Sequence, residues 1–313
     1  MTVPEVRPPR PPRRRVDGVL LVDKPRGPSS NAVLQHVKRL YVAEKAGHTG
    51  TLDPLATGLL PVCFGEATKF THMLLDARKQ YVATVRFGVA TTTGDAEGET
   101  TQTCDPSFSR ATLVAVLPRF IGAIAQTPPA YSALKFQGKN YYEYARAGVA
   151  IPVAAREIRI DAIELVEWSP PHAVLRVACG KGTYVRVLAE DLAAAVGSCA
   201  HLSALRRTAV GPFALDAAVT LDTLDEMSPA ARDALLLPAD AALAGLARLD
   251  VDAPTALALA QGRIASAPGE AQGKFRCYGP DGRFVGLIEA SGGALRSLRL
   301  ARTDAPSVSE KGA

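Results

Sequence analysis

Residues Gly47 to Phe70 read GHTGTLDPLATGLLPVCFGEATKF. The opening GHTGTLD is a polar, glycine-containing loop, and Pro54 follows Asp53 directly, ahead of the mostly apolar run Leu55 to Phe64. Proline suits the first turn of a helix, so position alone makes Asp53 an N-cap and predicts a helix beyond it. The loop leading into it, with His48, Thr49 and Thr51, singles Asp53 out among the carboxylates, but position by itself does not make it a nucleophile.

Upstream, Gly18 to Asp23 (GVLLVD) is a short apolar run that predicts a strand, and Lys24-Pro25-Arg26-Gly27-Pro28 ends it with turn residues. Ser29 or Ser30 caps a helix with Val33, Leu34, Val37 and Leu40 on one face. Downstream, Tyr81, Ala83, Val85 and Phe87 alternate with Val82, Thr84 and Arg86, the period of a strand over Gln80 to Gly88. Ile158 to Trp168 and Ala173 to Cys179 read as paired strands. The turn Gly180-Lys181-Gly182 then leads into a helix with Val185, Leu188, Leu192 and Val196 at helical spacing, ended by Gly197. That places Tyr184 and Arg186 at a helix N-terminus, an end that attracts anions.

Pro128 to Pro152 has a composition of its own: Tyr131, Phe136, Tyr141, Tyr142 and Tyr144 lie among Lys135, Lys139 and Arg146. Aromatic faces interleaved with cations suit stacking and phosphate contact on looped or single-stranded nucleic acid; a helix docked by a tyrosine stripe is the structural alternative. From about Leu249 short strands and turns, including Tyr278-Gly279-Pro280-Asp281-Gly282, predict a small β-rich C-terminal domain, joined to the body by the acidic, helix-rich stretch Leu221 to Ala247.

The chain has 313 residues, with 47% hydrophobic and 21% charged, enough for one large domain and an appendage. Its net charge of +5 favours a polyanionic partner. Much of the excess sits in residues 1–17, where Arg7, Arg10, Arg13, Arg14 and Arg15 alternate with prolines, a composition expected of a disordered basic arm. Neither a signal peptide nor a membrane-spanning run is evident, so a cytoplasmic protein is expected. The five cysteines are scattered without a CxxC pair, which predicts neither a disulfide framework nor a zinc site. Motifs for metalloprotease, serine hydrolase, Walker-loop and dinucleotide chemistry are missing, and no cofactor is expected.

The Gly47–Phe70 stretch resembles the catalytic motif of the tRNA pseudouridine synthase B family. Four more blocks agree in the family's order: GVLLVDKPRGPSSNAVLQHVKRL from Gly18, YSALKFQGKNYYEYARAG from Tyr131, GKGTYVRVLAEDL from Gly180 and HLSALRRTAVGPF from His201. The resemblance implies isomerisation of uridine 55 in the T-stem loop of tRNA to pseudouridine. The base leaves ribose and rejoins it through carbon, without redox change or external energy. Asp53 then matches the nucleophile or cation-stabilising carboxylate at the sugar. His48 matches the residue that fills space beside the flipped nucleotide, and Tyr81 the aromatic that stacks on the detached uracil and helps remove the C5 proton. Arg186 matches the partner that keeps Asp53 ionised, and Tyr184 and Leu205 match further contacts to the nucleotide.

By the same resemblance, Pro128 to Pro152 is the family's mobile insertion, which closes over the T loop. Lys24, Tyr131, Lys135, Lys139, Arg206 and Arg207 are the expected RNA contacts, with Lys24 also supporting the active-site loop and a surface salt bridge as the alternative for the two arginines. The implied fold is an α/β (α+β) pseudouridine-synthase core, a mixed and largely antiparallel sheet with flanking helices. The expected organisation is a basic arm at 1–17, a catalytic domain at 18–248 with the insertion at 128–152, a small PUA-like domain at 249–305 and a tail at 306–313. A monomer acting on tRNA without an obligate protein partner or membrane is expected, with tRNA-folding assistance compatible. The competing readings are a non-catalytic RNA chaperone, a guide-RNA-dependent synthase, and a related synthase acting on another uridine.

Overall fold

The computed structural model describes residues 12–302. A 10-stranded sheet forms the body. Its main elements in chain order are β1 (Gly18–Lys24), helix α1 (Ser30–Leu40), β2 (Thr57–Phe64), β3 (Lys79–Phe87), β4 (Gly122–Gln126), β5 (Arg156–Ser169), β6 (His172–Cys179), helix α2 (Val185–Ala195), β7 (Ala200–Val210) and β8 (Val219–Thr220). Across the sheet these run β8-β1-β2-β7-β3-β6-β5-β4, and the short strands Ala46–His48 and Phe213–Ala214 join β2 and β7. Most pairings are antiparallel; β1 with β8 and β2 with β7 are parallel, which makes the sheet mixed. This is the α/β architecture that the family resemblance implies.

Helices cover the sheet because their apolar stripes have nowhere else to go. Ser29 caps α1 through Ala32 N at 3.1 Å, and the helix buries Val33, Leu34 and Val37 against β1 and β2. Helix α2 buries Val185, Leu188, Ala189 and Leu192 in a larger cluster with β3, β5, β6 and β7. A second, five-stranded sheet spans Ala247–Leu300, with the hairpin Gly273–Tyr278 and Phe284–Ser291 at its centre. It is fastened to the body by Leu287 within a shared apolar cluster, by the Phe70–Phe284 ring pair at 5.4 Å, and by Lys69 Nζ donating to Leu300 O at 3.1 Å.

Three expectations are corrected here. No helix follows Asp53: Leu55 and Ala56 pass directly into β2, so Asp53 is no N-cap. The apolar run is a strand buried on both faces, with every residue from Gly58 to Phe64 buried, a pattern that hydrophobicity alone cannot tell from a helix. The arm is ordered where it is described. Arg14 bridges to Ala43, pairs with Asp233 at 2.5 Å and donates to Tyr41 O, and Val16 is buried; residues 1–11, like the tail 306–313, lie outside the described residues. Finally, Cys104 and Cys199, 95 residues apart, are bonded to each other. The fold brings them together through Gly88, whose N–H donates to Cys199 O while its carbonyl accepts from Cys104 N.

The parallel join of β2 to β7 is narrow, only Thr57 with Arg206 and Gly58 with Arg207, and it depends on Gly58. Gly58 has φ +100°, and a Cβ there would collide with the Arg207 carbonyl and lie 2.8 Å from its nitrogen. Gly58→Ala is therefore expected to destabilise the protein by about 3 kcal/mol, measured as a lower urea midpoint.

Candidate active site

The loop from Thr49 to Ala56 carries no secondary structure of its own and is held from three sides. Ser30, the first residue of α1, accepts from Leu52 N at 2.7 Å and donates to Leu52 O at 2.9 Å. Lys24, at the end of β1, is fully buried and donates to Ala56 O at 2.6 Å, Pro25 O at 3.0 Å and Pro54 O at 3.3 Å. Arg207 donates to Gly50 O at 3.1 Å and to Leu59 O at 2.7 Å. Backbone that lacks a ladder must find its partners elsewhere, and these three side chains supply them.

This fixed loop presents Asp53 to Arg186. Arg186 Nε lies 3.0 Å from Asp53 Oδ2 and 3.8 Å from Asp95 Oδ2, while its other nitrogens donate to Thr93 O at 2.6 Å and Tyr131 O at 2.8 Å. Arg186 is buried, whereas the Asp53 side chain keeps 37% exposure, so the pair opens to solvent on the carboxylate side. Arg186 sits in the first turn of α2, whose start is gripped by Gln126. That buried side chain accepts from Tyr184 N at 2.8 Å and donates to Tyr184 O at 3.2 Å.

Burial pushes the Asp53 carboxyl above its ordinary value of 3.8, Arg186 opposes that rise, and Asp95 adds to it. Arg186 does favour the charged form, but desolvation is the larger effect. Lys24, also buried, is held down to about 8, with Asp53 pulling it back up.

Tyr81 projects from β3, directly across from Arg207 on β7 and Val177 on β6, and packs on the cluster that holds Leu52, Leu55 and Leu205. Burial raises its hydroxyl above the ordinary 10, with Arg207 opposing. His48 is half-buried on the edge strand Ala46–His48, its Nδ1 has no hydrogen-bond partner, and burial and Arg207 lower its pKa, so the ring is neutral at pH 7. Tyr184 is half-buried at the N-cap of α2, and Leu205 is buried at 8% exposure.

The six expected RNA contacts separate. Lys135 and Lys139 are exposed, on the hairpin Lys135–Phe136 and Lys139–Asn140, and Tyr131 meets Arg186 through its carbonyl. Arg206 makes the salt bridge that was its alternative, to Asp23 at 2.6 Å, with Thr57 Oγ1 at 3.2 Å. Two are corrected. Arg207 is 1% exposed and Lys24 is 0% exposed, so neither can meet a surface phosphate; Lys24 supports the loop that bears Asp53, the other role expected of it, and Arg207 bonds that loop at Gly50 and β2 at Leu59. Gln126, Asp95, Thr93 and Ser30 enter as loop and arginine supports that the sequence did not single out for the site. Ser30 had one signal, its place in a serine pair at a helix start.

Residues 38–185 match the family model described as TruB family pseudouridylate synthase (N terminal domain), and residues 186–244 match the tRNA pseudouridylate synthase B C-terminal domain. Residues 246–302 match tRNA Pseudouridine synthase II, C terminal. The tRNA pseudouridine synthase B of Burkholderia mallei (strain ATCC 23344) is 52% identical over 304 residues, covering 95% of this chain and 98% of that protein. The protein of the same name from Thiobacillus denitrificans (strain ATCC 25259 / T1) is 52% identical over 294 residues, covering 94% and 99%. The chain belongs to the TruB family. Among solved structures, a chain of an H/ACA RNP bound to a substrate RNA containing 2′-deoxyuridine superposes on this TruB-family chain with a TM-score of 0.69 at 25% identity, covering 91% of this chain and 85% of that one. One from a Cbf5-Nop10-Gar1 complex gives 0.66 at 28%, covering 87% and 78%.

The raised Asp53 pKa predicts that, for any reaction needing this carboxylate ionised, kcat/KM falls on acidification along a limb above the ordinary 3.8. Removing a cation that favours the carboxylate raises its pKa further, so Arg186→Gln moves that limb to higher pH. A pH–rate series on both proteins checks the direction.

Proposed function

We propose that this chain is a tRNA pseudouridine synthase that isomerises uridine 55 of the T-stem loop, with Asp53 as the carboxylate acting at C1′. The observation that carries the reading is the Asp53–Arg186 pair at 3.0 Å, on a loop held by Ser30, Lys24 and Arg207. Its relatives at 52% identity across nearly their whole length bear the name tRNA pseudouridine synthase B, which favours tRNA as substrate without a guide RNA.

The reaction breaks N1–C1′ and makes C5–C1′. A carboxylate at the sugar serves it by attacking C1′ or by stabilising the positive charge that develops there. One proton leaves C5 and one ends on N1, so the isomerisation is balanced without a cofactor. The target base must leave its stack, and Tyr81, His48, Tyr184 and Leu205 are the groups that we assign to receive it. A polyanionic substrate suits the exposed Lys135, Lys139 and Arg146 of the 128–152 insertion, whose phosphate contacts would weaken with salt. The insertion comprises a short hairpin and the helix Tyr141–Arg146, capped by Asn140.

An unmodified tRNA transcript incubated with the protein in EDTA, then mapped by carbodiimide primer extension, is expected to show pseudouridine at position 55 only. Asp53→Asn is expected to retain tRNA binding and lose at least about 10³-fold in rate, the scale of a lost nucleophile. Binding without product by the unaltered protein would favour the chaperone reading. A product at another uridine would reassign the substrate.

A further inference from the structure

Arg207 is buried, yet among the described residues it has no carboxylate within salt-bridge distance. Burying an unpaired guanidinium is costly, and a neutral donor could serve the carbonyls of Gly50 and Leu59 equally well. What only a cation supplies is stabilisation of nearby negative charge. The charge of Arg207 is felt at Lys24, Lys79, His48 and Tyr81, and among these Tyr81 is the one that can become an anion. The two residues stand directly opposite each other in the β3–β7 register, so their side chains leave the sheet on the same face.

We propose that Arg207 is a positioning residue for Tyr81: anchored on the carbonyls of Gly50 in the loop and Leu59 in β2, it stands across the β3–β7 pair from the phenol and favours negative charge on the phenol oxygen that removes the C5 proton. This rests on the synthase reading above. In the step concerned, the Tyr81 hydroxyl gives its proton to N1, which gave up its bond to C1′, and the phenolate oxygen so formed takes the C5 proton while the C5–H electrons restore C5=C6; the phenol is regenerated and the count is closed. Asp53 is served by Arg186 and Tyr81 by Arg207, one cation for each oxygen that must bear charge.

The test compares the unaltered protein with Arg207→Gln, Arg207→Lys, Tyr81→Phe and the double variant Tyr81→Phe/Arg207→Gln, on tRNA transcripts made with ordinary or 5-deuterated uridine. In Arg207→Gln we expect kcat to fall about 10- to 100-fold with KM within about threefold, the signature of an interaction made during the chemical steps. The C5 deuterium isotope effect should exceed that of the unaltered protein, and Arg207→Lys should lose less. In the Tyr81→Phe background, the same Arg207→Gln change should cost less than about threefold, because a residue acting through Tyr81 has nothing left to act on. Fully additive losses with an unchanged isotope effect would overturn the proposal, and so would a kcat equal to that of the unaltered protein. If Arg207→Gln fails to fold, Arg207→Lys alone and with Tyr81→Phe carries the same comparison. No pseudouridine from the unaltered protein would defeat the synthase reading itself; product from it together with full activity in Tyr81→Phe would defeat only this proposal.

Discussion

The arrangement depends on one buried guanidinium. Arg186 binds Asp53 on one side and the carbonyls of Thr93 and Tyr131 on the others, so a single side chain ties the Asp53 loop, the Thr91–Asp95 turn and the tyrosine-rich insertion to the start of α2. A charge taken out of water must be satisfied nearly completely, and each of these segments is placed where it satisfies part of it. Gln126 then matters at a distance, because its two bonds to the Tyr184 backbone fix where α2 begins and hence where Arg186 points.

The local parts of this design were legible in the sequence. The strand at Tyr81, the paired strands before the glycine turn and the helix carrying Arg186 follow from periodicity and turn residues, and the structure contains all three. The helix after Asp53 was misread because proline and an unbroken apolar run suit a helix as well as a doubly buried strand. What decides between them is the neighbour, β1 on one side and β7 on the other, and neither is local in sequence.

Lys24 and Arg207 show the same limit in electrostatic form. A cation in a sequence reads as surface, since long charged side chains are rarely buried without a partner. Here the partners are backbone carbonyls, which have no signature of their own in sequence. The cysteines follow suit: Cys104 and Cys199 meet beside Gly88, which bonds to both of their backbones. Asp53 itself was legible through the whole idiosyncratic stretch around it, not through its own position.

The bond from Arg186 to the Tyr131 carbonyl has a mechanical side. The segment that bears the exposed lysines is latched to the same guanidinium that sets the field at Asp53, so the two share one donor group. Any displacement of that segment would strain or release one anchor of Arg186. The insertion and the Asp53 carboxylate are thus two ends of one lever, joined through a single side chain.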